Sequence, residues 1–315
     1  KDADMLSRMM QSGTRSLPLQ AFEDRIRELD ARLDIGASDT GAQLTLQVPK
    51  ERLDAALTLA IEALRAPAFP ADVYDERKRR WIAAIESNRD QPDTLVADAL
   101  RRSAYQYPES DPRHYRPADA LIADLKNHEV SKLETFWRDF AGASNGQFTA
   151  VGEFDPAWLR SRIDALIGDW KSPVAYQRIE RPYRQLPAGR RFIPVADKPN
   201  AVYLETRSMR VSEETPDYPA LALAVRLFGG DSGSRVSKRL RERDGLTYGA
   251  YAALSADRTI ESGAVTFRAI HAPDNLTRIE TALRDELATA LRDGFTEAEL
   301  TGVRQAWLQR RAQAL

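Results

Sequence analysis

The hydrophobic residues of this chain recur mainly at the spacing of one helix face. The clearest stretch is PKERLDAALTLAIEALRAP, in which six apolar residues share one side of a helix that ends before Pro67: Leu53, Ala56, Leu57, Ala60, Ile61 and Leu64. Comparable spacing predicts further helices at about 4–11, 18–30, from Pro70 onward, 92–106, 117–125, 129–141, 156–169, from Pro216 with Thr215 as its N-cap, 234–243, 274–293 and 297–315.

Shorter apolar runs predict strands at about 31–37, 42–48, 146–153, 191–196, 200–210, 247–256 and 260–270. Several of these strands lie close together in sequence, which favours antiparallel sheets with helices packed on one face. The fold class is therefore α+β. The segment KSPVAYQRIERPYRQLPAGRR holds three prolines without periodicity and is typical of a linker. We expect two domains, at about 1–172 and 173–315.

The two halves resemble each other internally. GAQLTLQVPKERLDAAL begins at Gly41, and GAVTFRAIHAPDNLTRIETAL begins at Gly263. Two aromatic pairs, Phe69 with Trp81 and Phe295 with Trp307, have the same spacing and the same offset between halves. The same order of strand, helix and helix with matching aromatic residues predicts two copies of one α+β domain.

Composition narrows the function. The 315 residues are 43% hydrophobic and 30% charged, with a formal net charge of −1 and no Cys. These values are typical of a globular protein and give no reason to expect a nucleic-acid partner, a disulfide framework or a thiolate zinc site. No apolar run approaches the roughly 20 residues of a membrane span. The compartment stays open.

Few residues suggest chemistry by themselves. His114, His128 and His271 lack metal-ligand spacing, so we expect surface or capping roles for them. The turn FGGDSGSR follows a helix and lacks the Lys of a P-loop. A tight connection between helices, with glycines at positive φ, is the favoured interpretation of that turn.

The stretch after this turn is more informative. Arg241 falls in the last turn of a short basic helix, Gly245 suits a left-handed residue at the helix end, and Tyr248 opens a strand. A helix–turn–strand corner therefore brings Arg241 and Tyr248 together. Helix capping and strand packing explain such a pair, and so does an active-site role.

The segment SRVSKRLRERDGLTY resembles, over its whole length, the glycine loop, basic helix and R-x-x-x-x-x-x-Y signature of the pitrilysin/insulinase-type zinc metallopeptidases. The flanking sequence DKPNAVYLETRSMRVSEETPDYPALALAVRLFGGDSG is similar to the non-catalytic half of these enzymes. The first half also resembles the family, because LSRMMQSGT is similar to the helix that carries its inverted zinc motif, H-x-x-E-H. The resemblance covers nearly the whole chain.

The zinc motif itself is absent. Counted back from the Gly-Thr pair at 13–14, the two His positions hold Asp4 and Arg8, and the position of the general-base Glu holds Ser7. Ala83 and Ala84 stand where the family has a Glu-Glu pair. An Arg beside a zinc ion would add positive charge where ligands should neutralise it, so we expect this segment to bind no metal.

The resemblance implies the non-catalytic half of a peptidase. In this family Arg241 and Tyr248 would reach a bound peptide or unfolded polypeptide, and Gly229, Gly230 and Gly233 would let the loop approach it. Zinc is expected in the catalytic half, which the ragged N-terminus places on the same chain more readily than on a partner chain. A degenerate structural subunit and a separate chain paired with a zinc-bearing subunit remain the alternatives. Similarity to long bacterial members favours the periplasm.

Overall fold

The computed structural model describes residues 2–38 and 41–313. The helices are α1 (Asp2–Met9), α2 (Leu19–Glu28), α3 (Leu53–Arg65), α4 (Ala71–Asn88), α5 (Pro92–Ala104), α6 (Ala118–Lys126), α7 (Val130–Phe140), α8 (Pro156–Ile167), α9 (Tyr218–Gly229), α10 (Arg235–Ser237), α11 (Leu276–Asp293) and α12 (Glu297–Gln313). The strands are β1 (Arg32–Ala37), β2 (Ala42–Gln47), β3 (Ala201–Met209), β4 (Thr247–Ala256) and β5 (Gly263–His271). All strand pairs are antiparallel, which confirms the predicted α+β class.

The chain folds into two compact units. The first unit extends to Ser87 and resumes at Arg116–Ile179, and the second comprises Asn88–Tyr115 and the chain from Glu180 onward. The segment 88–115 thus groups with the second unit, although the sequence places it inside 1–172. The limits 1–172 and 173–315 for two homologous domains stay a prediction. None of the helices in the described part combines the length and the apolar character of a membrane-spanning segment.

The first unit is built around a two-stranded hairpin. β1 and β2 pair in register, with Leu33 opposite Leu46. Leu33 and Ile35 alternate with exposed positions, so one face of the hairpin is buried. Met5 and Met9 of α1 are fully buried in the same cluster, which explains why α1 packs on β1.

The second unit contains a three-stranded sheet in the order β3-β5-β4. One face of this sheet carries a hydrophobic core made by strands and by the helices around α10 and α11: Val236, Leu240, Leu246, Ala252, Phe267, Ala269, Ile279, Ala282 and Leu283. Apolar residues at alternate positions of β5 therefore form the buried face of the sheet against which these helices pack.

The predicted linker is irregular but attached. The ring of Tyr107 is 8% exposed and lies between two guanidinium groups, of Arg113 at 4.2 Å and of Arg184 at 4.1 Å. Arg113 also donates to Asp111 through two nitrogens and to the carbonyl of Glu180. Hydrogen bonds from Arg113 lower the pKa of Asp111 to about 2. These contacts fix residues 180–184 to the 105–115 loop.

Two predicted strands do not form. Residues 146–153 lack backbone hydrogen bonds to any strand in the described chain, and Phe148 and Val151 are 50% and 91% exposed. Residues 191–196 are also irregular, and Pro194 has no N–H to give a ladder. Both runs have the apolar composition that is typical of strands, but a strand also needs a second strand to which its backbone can hydrogen-bond.

Helix α9 begins at Tyr218 rather than at Pro216. Asp217 is its N-cap residue, without a side-chain capping bond. The hydroxyl of Thr215 instead accepts the N–H of Ser212 at 2.9 Å, so it closes a turn ahead of the helix. The N-cap prediction for Thr215 is therefore wrong by two residues.

Both units contain the order that the internal repeat predicts. A hairpin is followed by a 3₁₀ turn and two helices: β1, β2, Lys50–Arg52, α3 and α4 in the first unit, and β4, β5, Pro273–Asn275, α11 and α12 in the second. Trp81 is buried in α4. The side chain of Trp307 lies outside the described residues, so the matching of the two tryptophans stays a prediction.

Candidate functional site

The helix that carries Arg241 changes its geometry along its length. It is α-helical at Arg235–Ser237 and continues as a π-helical segment at Lys238–Arg243. Gly245 follows with φ +61°, which confirms the predicted left-handed residue. π-Helical segments are rare and are found frequently at functional sites. Arg241 lies inside this one.

Arg241 differs from most of its basic neighbours. Three of the five basic side chains on the helix form ion pairs: Arg235 with Glu299, Arg239 with Asp244 and Glu286, and Arg243 with Asp244. Arg241 and Lys238 are exposed, and neither makes a hydrogen bond or ion pair with the described residues. The guanidinium of Arg241 is therefore available to a group from outside the unit.

Tyr248 lies at an irregularity of its strand. Thr247 is opposite His271 and Gly249 is opposite Ile270, so two steps along β4 correspond to one step along β5. Tyr248 is the extra residue of this β-bulge and has no cross-strand partner. Bulges are over-represented next to active sites, where they redirect a side chain.

The bulge exposes the tyrosine. With strict alternation Tyr248 would share the core-facing side of Ala250 and Ala252, which pack in the sheet core. The extra residue breaks that alternation, and Tyr248 is 66% exposed. Its hydroxyl has no hydrogen-bond partner among the residues that the structure describes.

The corner between Arg241 and Tyr248 is anchored from several sides. The N–H of Leu246 donates to the carbonyl of Leu240 at 2.7 Å, and Leu246 is 3% exposed. Asn275 donates to the carbonyl of Leu246 at 3.0 Å, and the hydroxyl of Ser237 donates to the carbonyl of Ala250 at 3.0 Å. Sequence reasoning did not identify Asn275 or Ser237, because their partners are distant backbone carbonyls.

The glycines of the turn have a different physical role from the predicted one. Gly229, Gly230 and Gly233 do not have positive φ, so that part of the prediction is wrong. A Cβ on Gly229 would lie 2.6 Å from the Cβ of Ala252, which means that only glycine lets α9 approach β4 this closely. The N–H of Gly233 donates to Asp231 at 3.0 Å. Contact of these glycines with a polypeptide stays a prediction.

The positions that the sequence analysis aligns with the family's zinc motif lie on two helices of the first unit. Asp4, Ser7 and Arg8 are on α1, and Ala83 and Ala84 are on α4. Asp4, Arg8 and both alanines are exposed, and Ser7 is half-buried.

Arg8 links α1 to α4. Its guanidinium lies 4.5 Å from the ring centroid of Trp81, and its carbonyl accepts a hydrogen bond from Arg77. A guanidinium has no lone pair for a metal and an alanine has no donor atom, so this residue set does not fit zinc. No three His, Cys, Asp or Glu side chains are grouped as metal ligands anywhere in 2–38 and 41–313.

Two of the three histidines are buried, so the expectation of surface or capping roles is wrong for them. His128 is 2% exposed, and its ring nitrogens lie 2.6 Å from the hydroxyl of Tyr74 and 2.8 Å from a carboxylate oxygen of Asp2. Burial raises the pKa of Tyr74 to about 12. His271 is 1% exposed, whereas His114 is half-buried. The structural role of His128 is to satisfy a buried hydrogen-bond network.

A comparison with known protein families shows which family contains the corner of Arg241 and Tyr248. A family model described as the peptidase M16 inactive domain matches residues 129–306, which is more than half of the chain and includes the corner of Arg241 and Tyr248. The chain belongs to this family. The resemblance predicted from SRVSKRLRERDGLTY is thereby confirmed.

Two bacterial proteins are similar to this M16 inactive domain along most of its length. The Helicobacter pylori protein described as non-peptidase homolog YmxG is 22% identical over 263 residues, which are 79% of this chain and 56% of that protein. An uncharacterized zinc protease of Rickettsia felis is 24% identical over 272 residues, 83% of this chain and 61% of the relative. The chain thus spans little more than half the length of these relatives.

Solved structures show the same fold. A peptidase M16 inactive domain from Pseudomonas fluorescens has a TM-score of 0.80 at 20% identity, covering 98% of this chain and 73% of the other. The periplasmic protease PqqL from Escherichia coli has a TM-score of 0.72 at 15% identity, covering 98% of this chain and 33% of that protein.

Proposed function

We propose that this M16 inactive domain is the metal-free half of a zinc-dependent peptidase and that it binds polypeptide through Arg241 and Tyr248. The observation that carries the proposal is the state of these two side chains. Both are exposed without an internal partner, and each lies at a local irregularity of an otherwise anchored corner. Their exposure leaves both polar groups accessible to a bound polypeptide.

The two groups suit a peptide backbone. A guanidinium offers five N–H donors and a phenol offers one O–H donor, and peptide carbonyls are acceptors. Because the corner is anchored through Leu246 and Ala250, the backbone that carries these donors is held in place before a substrate arrives. Donors fixed near a scissile carbonyl stabilise the negative charge that develops on its oxygen.

The zinc-bearing half completes the proposal. It would supply the metal-activated water that cleaves the peptide bond, on the same chain more readily than on a partner chain. This half would contribute binding and closure of the chamber without a metal of its own. The pairing of Arg8 with Trp81 supports that division, because it leaves a cation where the family has ligands.

Tyr248→Phe tests the proposal in the full-length protein. The change removes only an exposed hydroxyl, so the melting temperature should stay within about 1 °C, because surface changes typically cost less than about 0.5 kcal/mol. Peptidase turnover should fall by about 10²–10³, the typical effect of losing one donor to transition-state charge. Tyr176→Phe is the control, since Tyr176 is 54% exposed in the first unit. Unchanged turnover in Tyr248→Phe would refute the role of the corner.

A non-enzymatic subunit is the second candidate. The description of the Helicobacter pylori relative as a non-peptidase homolog favours it. A separate chain that pairs with a zinc-bearing catalytic subunit is a related arrangement. Full-length protein that shows no chelator-sensitive peptide hydrolysis, alone or with co-purified partners, would establish the structural role.

A periplasmic location belongs to the same proposal. Its support is the fold shared with the periplasmic protease PqqL, which bears on location by analogy alone. Fractionation of cells that produce the full-length protein, followed by immunoblotting, tests it. Recovery with a cytoplasmic marker would contradict the assignment.

A further inference from the structure

An arginine of the neighbouring strand lies on the same sheet as Tyr248. It is beside the residue of β4 that comes three positions after Tyr248. Arg268 is on the central strand β5 and is directly opposite Tyr251 in the register. Its guanidinium carbon lies 5.9 Å from the ring centroid of Tyr251. The Nε of Arg268 donates to Oδ1 of Asp93 at 2.7 Å, and its Nη2 donates to the same oxygen.

The helix that supplies Asp93 lies at the surface of its unit. Asp93 belongs to the first turn of α5, and no residue of α5 is buried. α5 contacts β3, at one side of the sheet. On the other side of the same sheet face, Tyr251, Ala253 and Ser255 of β4 are exposed. Arg268 thus lies between a covering helix and an open strip of sheet.

The ion pair between Arg268 and Asp93 lacks the bidentate geometry that an arginine and a carboxylate can form. Both N–H groups converge on one carboxylate oxygen, whereas a free carboxylate can accept them side by side with two oxygens. Asp93 is also 53% exposed, and ion pairs at exposed sites contribute only about 0–1 kcal/mol. A carboxylate from a bound molecule can therefore replace Asp93 at little cost.

We propose that Arg268 is the receptor for a carboxylate of bound polypeptide, and that Asp93 occupies it as an internal stand-in. The inference rests on the proposed function of Arg241 and Tyr248 and assigns it a preference for acidic polypeptides. Tyr251 and Tyr248 are about 10 Å apart along an extended strand. A polypeptide held at Tyr248 would bring a side chain about three residues away over Arg268.

Two sources of the carboxylate are separable with peptide probes. The probes are fluorescein-labelled peptides of twelve residues, acetylated and amidated, in which a single Glu or Gln is moved along an otherwise neutral sequence. A second set carries a free C-terminal carboxylate in place of the Glu. Fluorescence anisotropy with the whole protein gives Kd for each probe. Preference for an internal Glu assigns the site to acidic side chains, and preference for the second set assigns it to chain ends.

Substitutions of Arg268 and Asp93 test the proposal. In the wild-type protein an acidic probe should bind roughly threefold to tenfold more tightly than its neutral match, as one charge-assisted contact predicts. Arg268→Gln should abolish this difference and leave neutral probes unaffected. Asp93→Asn should tighten acidic probes further, because it frees the arginine that the internal carboxylate occupies.

Asp98→Asn is the matched control. Asp98 lies on the same helix, bonds Tyr115 and Arg102, and does not contact Arg268, so its loss loosens α5 without freeing the guanidinium. Equal tightening in Asp98→Asn and Asp93→Asn would overturn the proposal, since loosening of α5 would explain both. Asp93→Asn leaves Arg268 intact and decides the question even when Arg268→Gln fails to fold.

Failure of the two proposals is distinguishable. Loss of all binding in Tyr248→Phe, with identical Kd values for acidic and neutral probes in the wild type, would overturn the role of Arg268 alone. Unchanged binding and unchanged turnover in Tyr248→Phe, with an acidic preference that depends on Arg268, would overturn the role of Tyr248 and support the carboxylate receptor. Absence of binding by every probe would overturn both.

Discussion

At the residue scale, two glycines of one turn differ in what a side chain would meet. A Cβ on Gly229 would lie 2.6 Å from the Cβ of Ala252 and 2.7 Å from its backbone nitrogen. Since Ala252 is part of β4, it cannot move without displacing the strand. A Cβ on Gly233 would meet only Oδ1 of Asp231, at 3.4 Å, which is ordinary contact.

Gly229→Ala should therefore destabilise the protein, and Gly233→Ala should not. Overpacking of this kind typically costs about 1–3 kcal/mol, and at Gly233 the change should stay within about 1 kcal/mol in either direction. Urea unfolding of both variants measures the difference. Similar unfolding free energies would show that α9 and β4 are separated by more space than the structure gives.

The residue types at the corner of Arg241 and Tyr248 could be predicted from the sequence, but the geometry of the corner could not. Arg241, Gly245 and Tyr248 are recognisable from residue type and spacing. The π-helical segment and the β-bulge are not, because they arise from how the helix end and the strand register fit the core around Leu240 and Leu246. Local sequence carries no record of that fit.

At the element scale, α12 is attached to the basic helix by one paired arginine. Arg235 donates to both carboxylate oxygens of Glu299, at 2.6 and 2.8 Å, and its guanidinium lies 4.6 Å from the ring of Phe295. Glu299 also accepts the N–H of Thr296 at 2.8 Å. Hydrogen bonding from Arg235 lowers the pKa of Glu299 to about 2.

Stability should depend on this pair in a defined pH range. Because the pKa of Glu299 is lower in the folded protein, the stabilisation is complete above the ordinary value of 4.5 and is lost as the pH falls towards about 2. Glu299→Gln should lower the unfolding free energy at pH 7 and narrow its difference from wild type between about pH 4.5 and 2. Urea titrations at several pH values test this, with Glu297→Gln as the control on the same helix turn. A pH-independent difference would contradict it.

Elements defined by local periodicity were predicted well, and elements defined by a partner were not. The helix at Leu53–Arg65 follows from its apolar face, and the hairpin of β1 and β2 follows from two adjacent runs. The runs at 146–153 and 191–196 have strand-like composition but no ladder. Pairing depends on backbone that is distant in sequence, which residue types do not report.

At the scale of the whole molecule, the first unit contains two helices, α1 and α4, that carry the positions aligned by sequence with the family's zinc motif. α1 and α4 meet through Arg8, Trp81 and Arg77. The family could be predicted from a short motif, and the loss of ligands could be counted from the sequence. The packing of a guanidinium on Trp81 could not, since it depends on how α1 and α4 approach each other.

The purified chain should hold no stoichiometric zinc. Asp4, Ser7, Arg8, Ala83 and Ala84 give no set of three or four ligands, and Arg8 repels a second cation. Elemental analysis after dialysis at neutral pH measures the zinc content, and assays of peptide hydrolysis with and without a chelator measure activity. One zinc per chain, with hydrolysis that the chelator stops, would contradict the assignment of this chain as the metal-free half.

The two units are made of segments that alternate along the sequence, and this order affects folding during synthesis. Residues 88–115 belong to the second unit but leave the ribosome before the whole of 116–179, which belongs to the first. At roughly 5–20 residues per second, Arg184, which contacts Tyr107, and Arg268, which binds Asp93, emerge seconds to tens of seconds later. With no buried residue of its own, α5 gains its packing only after β3 and β5 have been synthesised.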